Sequence, residues 1–433
     1  MTYTRLRIIG LLALLGGCNA SSPDTAKQPT SPAEESRTVA EGTPAPAAVE
    51  TATPHVIDAE KLLANRLSDD LARQGWVRLF DGRTLFGWRQ AGNLDWKVVD
   101  GTLQVEAGEK GLLCTNTRWR DYELTLEYKA SADTNSGVFL RTPLFPTDPA
   151  VDCYELNIAP PDNPFPTGSL VKRKRADAST VGDLDAEAWH RYEIRLEGGH
   201  LNIKLNGNEV LDYTDPMPLP AGLIGLQFNS GSVAFRDIRI RPLGLTSLVS
   251  ETIEDNWKRY PEMEGDFQMT QDGLHITGGR AQLESQGTYD DFVLLTEVRT
   301  NAAALNSGIF FRCIPGDVMM GYECQISNAM SEGNPLFPVD CGTGGFFRRQ
   351  DARIVAAEDM QWFSMLLVAD GSTFASWVNG LQVCEWTDTR DPDPNPRKGK
   401  RLEAGTLMLQ AHDPTTDIHM RQLSVASLDA SKE

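Results

Sequence analysis

Several signatures of catalysis and nucleic-acid binding are missing from this 433-residue chain. There is no phosphate-cradling Gly-rich loop, no dinucleotide fingerprint and no Gly-x-Ser-x-Gly elbow, so neither a nucleotide nor a redox cofactor is implied. No Cys-x-x-Cys or Cys/His pair has zinc spacing, which speaks against a thiolate-held metal. Positive charge is scarce: 41 Lys and Arg stand against 60 Asp and Glu, and the net charge of −19 argues against nucleic acid or an anionic membrane face as partner. The acidic stretch Asp388 to Asn395 lacks the central Gly and distant Glu of a calcium loop and is stiffened by two prolines, so no metal ligands are assigned, although a divalent metal stays open. Long apolar runs are also absent. The run from Ile8 to Leu15 falls short of the roughly 20 residues that span a bilayer.

The N-terminus has the layout of an export signal instead. Arg5 and Arg7 precede the apolar run, and Leu15-Gly16-Gly17-Cys18 resembles a bacterial lipobox, in which the cysteine is lipidated. Residues 1–18 are therefore expected to be a signal peptide with Cys18 as the lipid anchor, and residues 19–55, rich in Ser, Thr, Pro, Ala and Glu, a disordered tether. The expected location is outside the cytoplasm, anchored to a bacterial membrane on the periplasmic side or at the cell surface. Six further cysteines, Cys114, Cys153, Cys313, Cys324, Cys341 and Cys384, permit disulfides there, with the pairing open.

The remainder repeats itself. Asn135-Ser136-Gly137-Val138-Phe139-Leu140-Arg141 returns as Asn306-Ser307-Gly308-Ile309-Phe310-Phe311-Arg312, and Tyr154-Glu155-Leu156-Asn157-Ile158 as Tyr322-Glu323-Cys324-Gln325-Ile326. An offset of about 170 residues means tandem domains, not a short-repeat solenoid. A lead-in helix is expected over 56–74, with Asp58 as N-cap and Leu63, Leu67 and Leu71 spaced by four. Beyond it, short runs alternate at period two, as in Tyr122 to Tyr128 and Leu201 to Leu205, while Asn206-Gly207 and Asn379-Gly380 are hairpin turns. The fold class is accordingly all-β: two tandem jelly-roll sandwiches, over 75–243 and 250–428, close together because the segment between them is short. Trp189 and Trp362, at matching positions, are expected in the cores.

Leu79-Phe80-Asp81-Gly82-Arg83-Thr84-Leu85, Trp96 to Leu103, the Asn-Ser-Gly-x-Phe-x-Arg strand, Tyr-Glu-x-x-Ile and Phe235-Arg236-Asp237-Ile238 together resemble the 3-keto-disaccharide hydrolase family, also described as 3-keto-glucoside 1,2-lyase and 3-keto-2-hydroxy-glucal hydratase. The second copy resembles it from Asp272-Gly273 onward without the opening motif. The resemblance implies a concanavalin-like jelly roll and a carbohydrate substrate, a 3-keto glycoside. A C3 carbonyl acidifies the C2 proton, so a base, a cation near the enolate and an acid for the leaving oxygen would suffice for elimination. Alternation puts Glu323 and Gln325 on one strand face. If the strands pair as a hairpin, Arg312 lies beside Glu323, and Gln410-Ala411-His412 resembles the family's late Gln-x-His strand. The expected catalytic set is Arg312 as the cation, Glu323 as base or acid, and His412 as a second proton carrier, with Arg141 and Glu155 as first-copy equivalents. Gln325, Arg348, Arg349, Gln410, Asn157 and Lys172 are the candidate substrate-binding residues, the basic ones following Thr-Gly in each copy. Arg312 and Glu323 would alternatively be only a cross-strand ion pair, worth under ~1 kcal/mol. The first copy has Asn229 where the second has His412, which points to binding in the first and reaction in the second. The competing possibility is that both sandwiches are lectin-like modules that bind glycan or a partner and catalyse nothing.

Overall fold

The computed structural model describes residues 58–186 and 188–429; the expected signal segment, Cys18 and the tether lie outside them. In place of one helix over 56–74 there are two five-residue helices, Ala59–Leu63 and Asp69–Arg73. Asp58 caps the first by accepting from the Lys61 N–H, as its position suggested, and Ser68 caps the second. The break between them has a tertiary cause. The Leu67 N–H is drawn to the carbonyl of Asn379 at 3.0 Å, and its side chain lies on Gly380, where a Cβ would meet it at 2.7 Å.

Each copy is then a pair of antiparallel sheets, and the two copies share one topology. In the first, an eight-stranded sheet has its centre at Tyr122–Ala130 and Val233–Pro242, facing a five-stranded sheet ordered Trp88–Ala91, Gly111–Thr115, Leu223–Ser230, Asn135–Thr142, Tyr154–Ile158. The second repeats this with Phe292–Thr300 and Thr416–Ser427 at the centre of its eight strands, facing Trp257–Lys258, Ala281–Tyr289, Gly405–Ala411, Ser307–Cys313, Tyr322–Ile326. The hairpins turn where Asn-Gly stands, with φ of 52° and 83° at Asn206 and Gly207 and 49° and 74° at Asn379 and Gly380. These left-handed values suit Asn and Gly. The fold is thus all-β, as expected.

Strand patterning differs between the copies for a packing reason. Tyr122–Ala130 alternates buried and half-buried residues, whereas Phe363–Asp370 is buried at every position. Phe292, Leu294, Leu367 and Phe374 face the second copy's own core, while Val293, Leu295, Leu366, Val368 and Trp377 join the first copy's core with Leu79, Phe80 and Trp119. The first sandwich therefore sits on the outer face of the second copy's larger sheet, and the alternation is lost because both faces are covered. Trp119 meets Trp377 edge-on at 5.8 Å, and the Trp377 Nε1–H donates to the Arg78 carbonyl at 2.9 Å. The polar rim includes Arg118 with Asp291 and Arg353 with Asp81, the latter at 2.9 Å.

Two expectations need correction here. Trp189 and Trp362 are half-buried, not core: arginine guanidinium groups cover both rings, Arg236 at 3.9 Å from Trp189 and Arg421 at 4.0 Å from Trp362. All six described cysteines are free and buried, so their even number reflects packing. The acidic stretch at Asp388 is an anchor for Arg390, whose Nη2 lies 2.8 Å from it, and for the Tyr322 hydroxyl, also at 2.8 Å.

Candidate functional site

Gly308 shows how the second copy's five-stranded sheet is shaped around an acid. In the hairpin of Ser307–Cys313 with Tyr322–Ile326, Gly308 faces Gln325 and Phe310 faces Glu323. A Cβ on Gly308 would stand 2.8 Å from Glu323 Oε1, so the glycine leaves room for the carboxyl to lie across the sheet. The preceding Ser307 donates to the Gln410 carbonyl at 2.7 Å and ties in the next strand. Tyr322, Cys324 and Ile326 point into the core, and Glu323 and Gln325 point the other way, as alternation required.

That other face opens into a cavity of about 390 Å³, within the roughly 300–1,000 Å³ usual for small-molecule sites. The structure brings Glu323, Gln325, Arg348, Arg349, Gln410 and His412 together in its wall. Burial pushes the Glu323 carboxyl up to about 7, Asp340 adding to this and Arg397 and Arg348 opposing it. His412 is half-exposed; its Nδ1 bonds Asp413 Oδ2 at 2.8 Å. With Nδ1 as the donor in that bond, Nε2 is left as the nitrogen free to accept and pass on a proton. Gln325 donates to Asp340 Oδ2 at 3.0 Å and to Asn306 Oδ1 at 3.2 Å, and Gln410 donates to Met319 Sδ at 3.4 Å. Their amide oxygens, by contrast, are buried with no donor among the described residues. Two such acceptors in a cavity wall are the usual mark of a ligand or water that completes them.

Arg312 is not in this wall. It is fully buried, donating to Asp291 Oδ1 at 2.8 Å and to the carbonyls of Asp290, Gly371 and Arg401. A bulge causes this: pairing with the neighbouring strand shifts between Phe310 and Cys313, and Arg312 takes a φ of 48°. Arg141 does the same in the first copy, with φ 48° and its guanidinium on Asp121 and the carbonyls of Arg120, Gly198 and Leu219. The expected placement of Arg312 beside Glu323 is corrected: both arginines fasten loops.

The other first-copy candidates occupy matching positions in a different setting. Burial pushes Glu155 up to about 7, against the pull of Gln227 and Lys172. Asn157 donates to the Phe165 carbonyl, and Lys172 is paired with Asp148 at 3.0 Å. Sheet register makes Leu112 and Cys114, both apolar-cluster residues, the counterparts of Gln282 and Glu284. A cavity of about 470 Å³ does exist in the first copy, bounded by Tyr128, Pro160, Arg175 and His190, but none of Arg141, Glu155, Asn157 and Lys172 lines it. The two ring nitrogens of His190 are both engaged, by the Asp185 carbonyl and by Asn206.

Reading the sequence missed Arg280, Arg397, Asn306 and Asp340 as cavity residues. Asn306 belonged to a recognised motif; Arg280 and Arg397 come from loops remote in sequence, with no spacing to flag them. The group of His, Cys, Asp or Glu side chains close enough to share a metal among the described residues is His275, Asp417 and His419, on the eight-stranded sheet and not among the cavity residues.

A relative from Bacteroides thetaiotaomicron, named 3-keto-disaccharide hydrolase, is 23% identical over 234 residues, covering 39% of this chain and 79% of its own length. A solved structure from Parabacteroides distasonis, provisionally described as a glycosyl hydrolase, is 18% identical, covers 41% of this chain and 99% of its own, and has a TM-score of 0.36. A carbohydrate-binding module from Bacillus subtilis is 16% identical, covering 36% of this chain and 95% of its own, with a TM-score of 0.28. The family model described as a 3-keto-alpha-glucoside-1,2-lyase-like domain matches residues 75–241 and again 244–426. Two successive copies of one domain thus account for most of the protein, and the chain belongs to the 3-keto-alpha-glucoside-1,2-lyase-like domain family.

Proposed function

We propose that the second copy breaks the glycosidic bond of 3-keto sugars, and that the first copy supports it without reacting. One observation carries this: Glu323 and His412 line a single cavity whose wall also holds the unpartnered amide oxygens of Gln325 and Gln410. A carboxyl held near 7 is matched to taking a weakly acidic C–H proton at neutral pH. Glu323 removes the C2 proton, the C1–C2 double bond forms, and the bond from C1 to the leaving oxygen breaks. His412 supplies the proton that this oxygen needs, and water then adds to the resulting glucal. The cation near the C3 oxygen is Arg348 or Arg397, the two guanidiniums whose charge acts on Glu323, and not Arg312. In the first copy, Asn229 in place of His412 and the apolar Leu112 and Cys114 argue against the same chemistry.

Incubating the protein with 3-keto disaccharides and 3-keto aryl glucosides tests this, with and without divalent metal. Turnover lost in Glu323→Gln and kept in Glu155→Gln is the expected result. Loss only in Glu155→Gln moves the reaction to the first copy. Binding of unoxidised glycans with no turnover of any keto sugar leaves a lectin-like protein. Export and a lipid anchor at Cys18 remain part of the proposal, supported by the N-terminal pattern. Incorporation of a labelled fatty acid that Cys18→Ser fails to abolish would remove the anchor from it.

A further inference from the structure

The cavity holds more positive charge than the proposed elimination uses. Arg280, Arg348, Arg349 and Arg397 all line it. Elsewhere the arginines are mostly neutralised, as Arg312 is by Asp291, Arg353 by Asp81 and Arg390 by Asp388. Among the described residues these four form no ion pair. Arg349 donates to the carbonyls of Arg348, Pro396 and Arg397, and Arg397 to that of Met319 at 2.9 Å. Arg348 stacks on the Phe347 ring.

The first copy shows what the neutralised arrangement looks like. Lys172 and Arg348 are counterparts: each takes a left-handed φ, 60° and 58°, one residue after an N–H that donates to the carbonyl of Glu155 or Glu323. Lys172 is held by Asp148 at 3.0 Å and Arg173 by Asp215 at 2.8 Å. In the second copy the counterpart of Asp215 is Asp388, since each accepts from a strand tyrosine, but Arg390 occupies it and Arg349 turns to carbonyls. Against the four cations the cavity offers Glu323 and an Asp340 already engaged by Gln325 and Asn306. Unpaired guanidinium groups gathered at one mouth repel each other, and an anion relieves that cost. Their planar forks suit carboxylate, sulfate or phosphate oxygens.

We propose that the ligand of this cavity is an anionic sugar, a glycoside carrying a carboxylate, sulfate or phosphate that the unpaired arginines grip while its ring lies over Glu323. The proposal rests on the glycoside reading of the same site, and binding separates the two because it needs no turnover. Titration calorimetry would compare methyl glucoside, methyl glucuronide, glucose 6-sulfate and glucose 6-phosphate, with acetate and inorganic phosphate as charge-only controls. At least one charged sugar should bind about tenfold or more tightly than the neutral one, the worth of one added hydrogen bond to a charged group. The advantage should shrink between about 50 and 500 mM salt. It should also shrink in Arg280→Gln, which disturbs no hydrogen bond or ion pair among the described residues, and in Arg348→Gln, yet persist in Glu323→Gln. Which charged sugar binds best identifies the anionic group. Equal binding of neutral and charged sugars, or a preference untouched by both arginine variants, overturns the anionic ligand and leaves the glycoside site standing. Binding of phosphate or acetate as tight as that of every sugar overturns the sugar part, and no binding of any probe overturns the anionic ligand, the glycoside reading being judged by turnover of the keto sugars.

Discussion

Replacing Glu323 by Gln should stabilise the protein while abolishing turnover, and the size of the gain follows from the acid's setting. Burial moves the carboxyl from an ordinary 4.5 to about 7. The folded state therefore holds the proton over a window in which the unfolded chain has already lost it. A raised carboxylate value means that stability falls as pH rises from 4.5 to 7 and is level outside that window. At 1.36 kcal/mol per pKa unit, the wild type gives up on the order of 3 kcal/mol by pH 8, and a glutamine, with nothing to ionise, gives up none. For a sandwich of this size that is roughly 5 to 10 °C. Thermal unfolding of both proteins from pH 4 to pH 8.5 would show curves that meet at the acid end, diverge between pH 4.5 and 7 and keep a constant separation above that. Parallel curves across the range would refute the claim that the cavity raises this carboxyl. Glu155→Gln is the internal control: Glu155 is also held near 7, so it should give the same thermal signature with turnover unchanged.

Arg312→Ala should cost about 3–5 kcal/mol, because Asp291 and the carbonyls that the guanidinium ties together lose their donor; urea unfolding would measure it, and a fully stable but inactive variant would return Arg312 to the chemistry. His412→Asn, which installs the first copy's residue, should lower kcat by about 10² to 10⁴ and leave stability within about 0.5 kcal/mol, since the imidazole is half-exposed; an unchanged kcat would remove it from proton transfer. Trp377→Ala should cost about 3–5 kcal/mol and split calorimetric unfolding into two transitions, one per sandwich; a single unshifted transition would show that the Trp119–Trp377 contact does not couple them.

The repeat, the strands and the hairpin turns were readable because each rests on local periodicity, and the facing of Glu323 and Gln325 followed from the same alternation. Arg312 was misread for the converse reason. Alternation assumes a regular ladder, and the left-handed φ at Arg312 breaks it just where the side chain would have reached the cavity. A residue of this kind gives no local warning, because non-glycine residues in that region are uncommon. Trp189 and Trp362 misled similarly: an indole under a guanidinium and an indole in a core look alike in sequence. Arg280 and Arg397 were beyond reach, since only the folded chain brings their loops to Glu323.

The opening motif, Leu79-Phe80-Asp81-Gly82, stands in the copy that lacks the imidazole, and its contacts there reach the second copy. Leu79 and Phe80 enter the core shared with the outer face of the second copy's large sheet, and Asp81 Oδ2 accepts from Arg353 at 2.9 Å. Phe86 adds its ring 4.1 Å from the same guanidinium. Arg353 is four residues from Arg349, on the segment that also carries Asp340 and Arg348. Its own carbonyl-bound Nε, 3.0 Å from Gln382 O, fastens that segment to the sheet. The first sandwich thus holds the strip of chain from which the second draws two of its four cations, Arg348 and Arg349. Because an ion pair this deeply buried is costly to break from either side, the placement of Arg348 and Arg349 is tied to the docking of the two copies. If the first copy does not react, as proposed, its binding face is free to differ, as it does at Leu112, Cys114 and Asn229, provided that it keeps the surface that holds its twin.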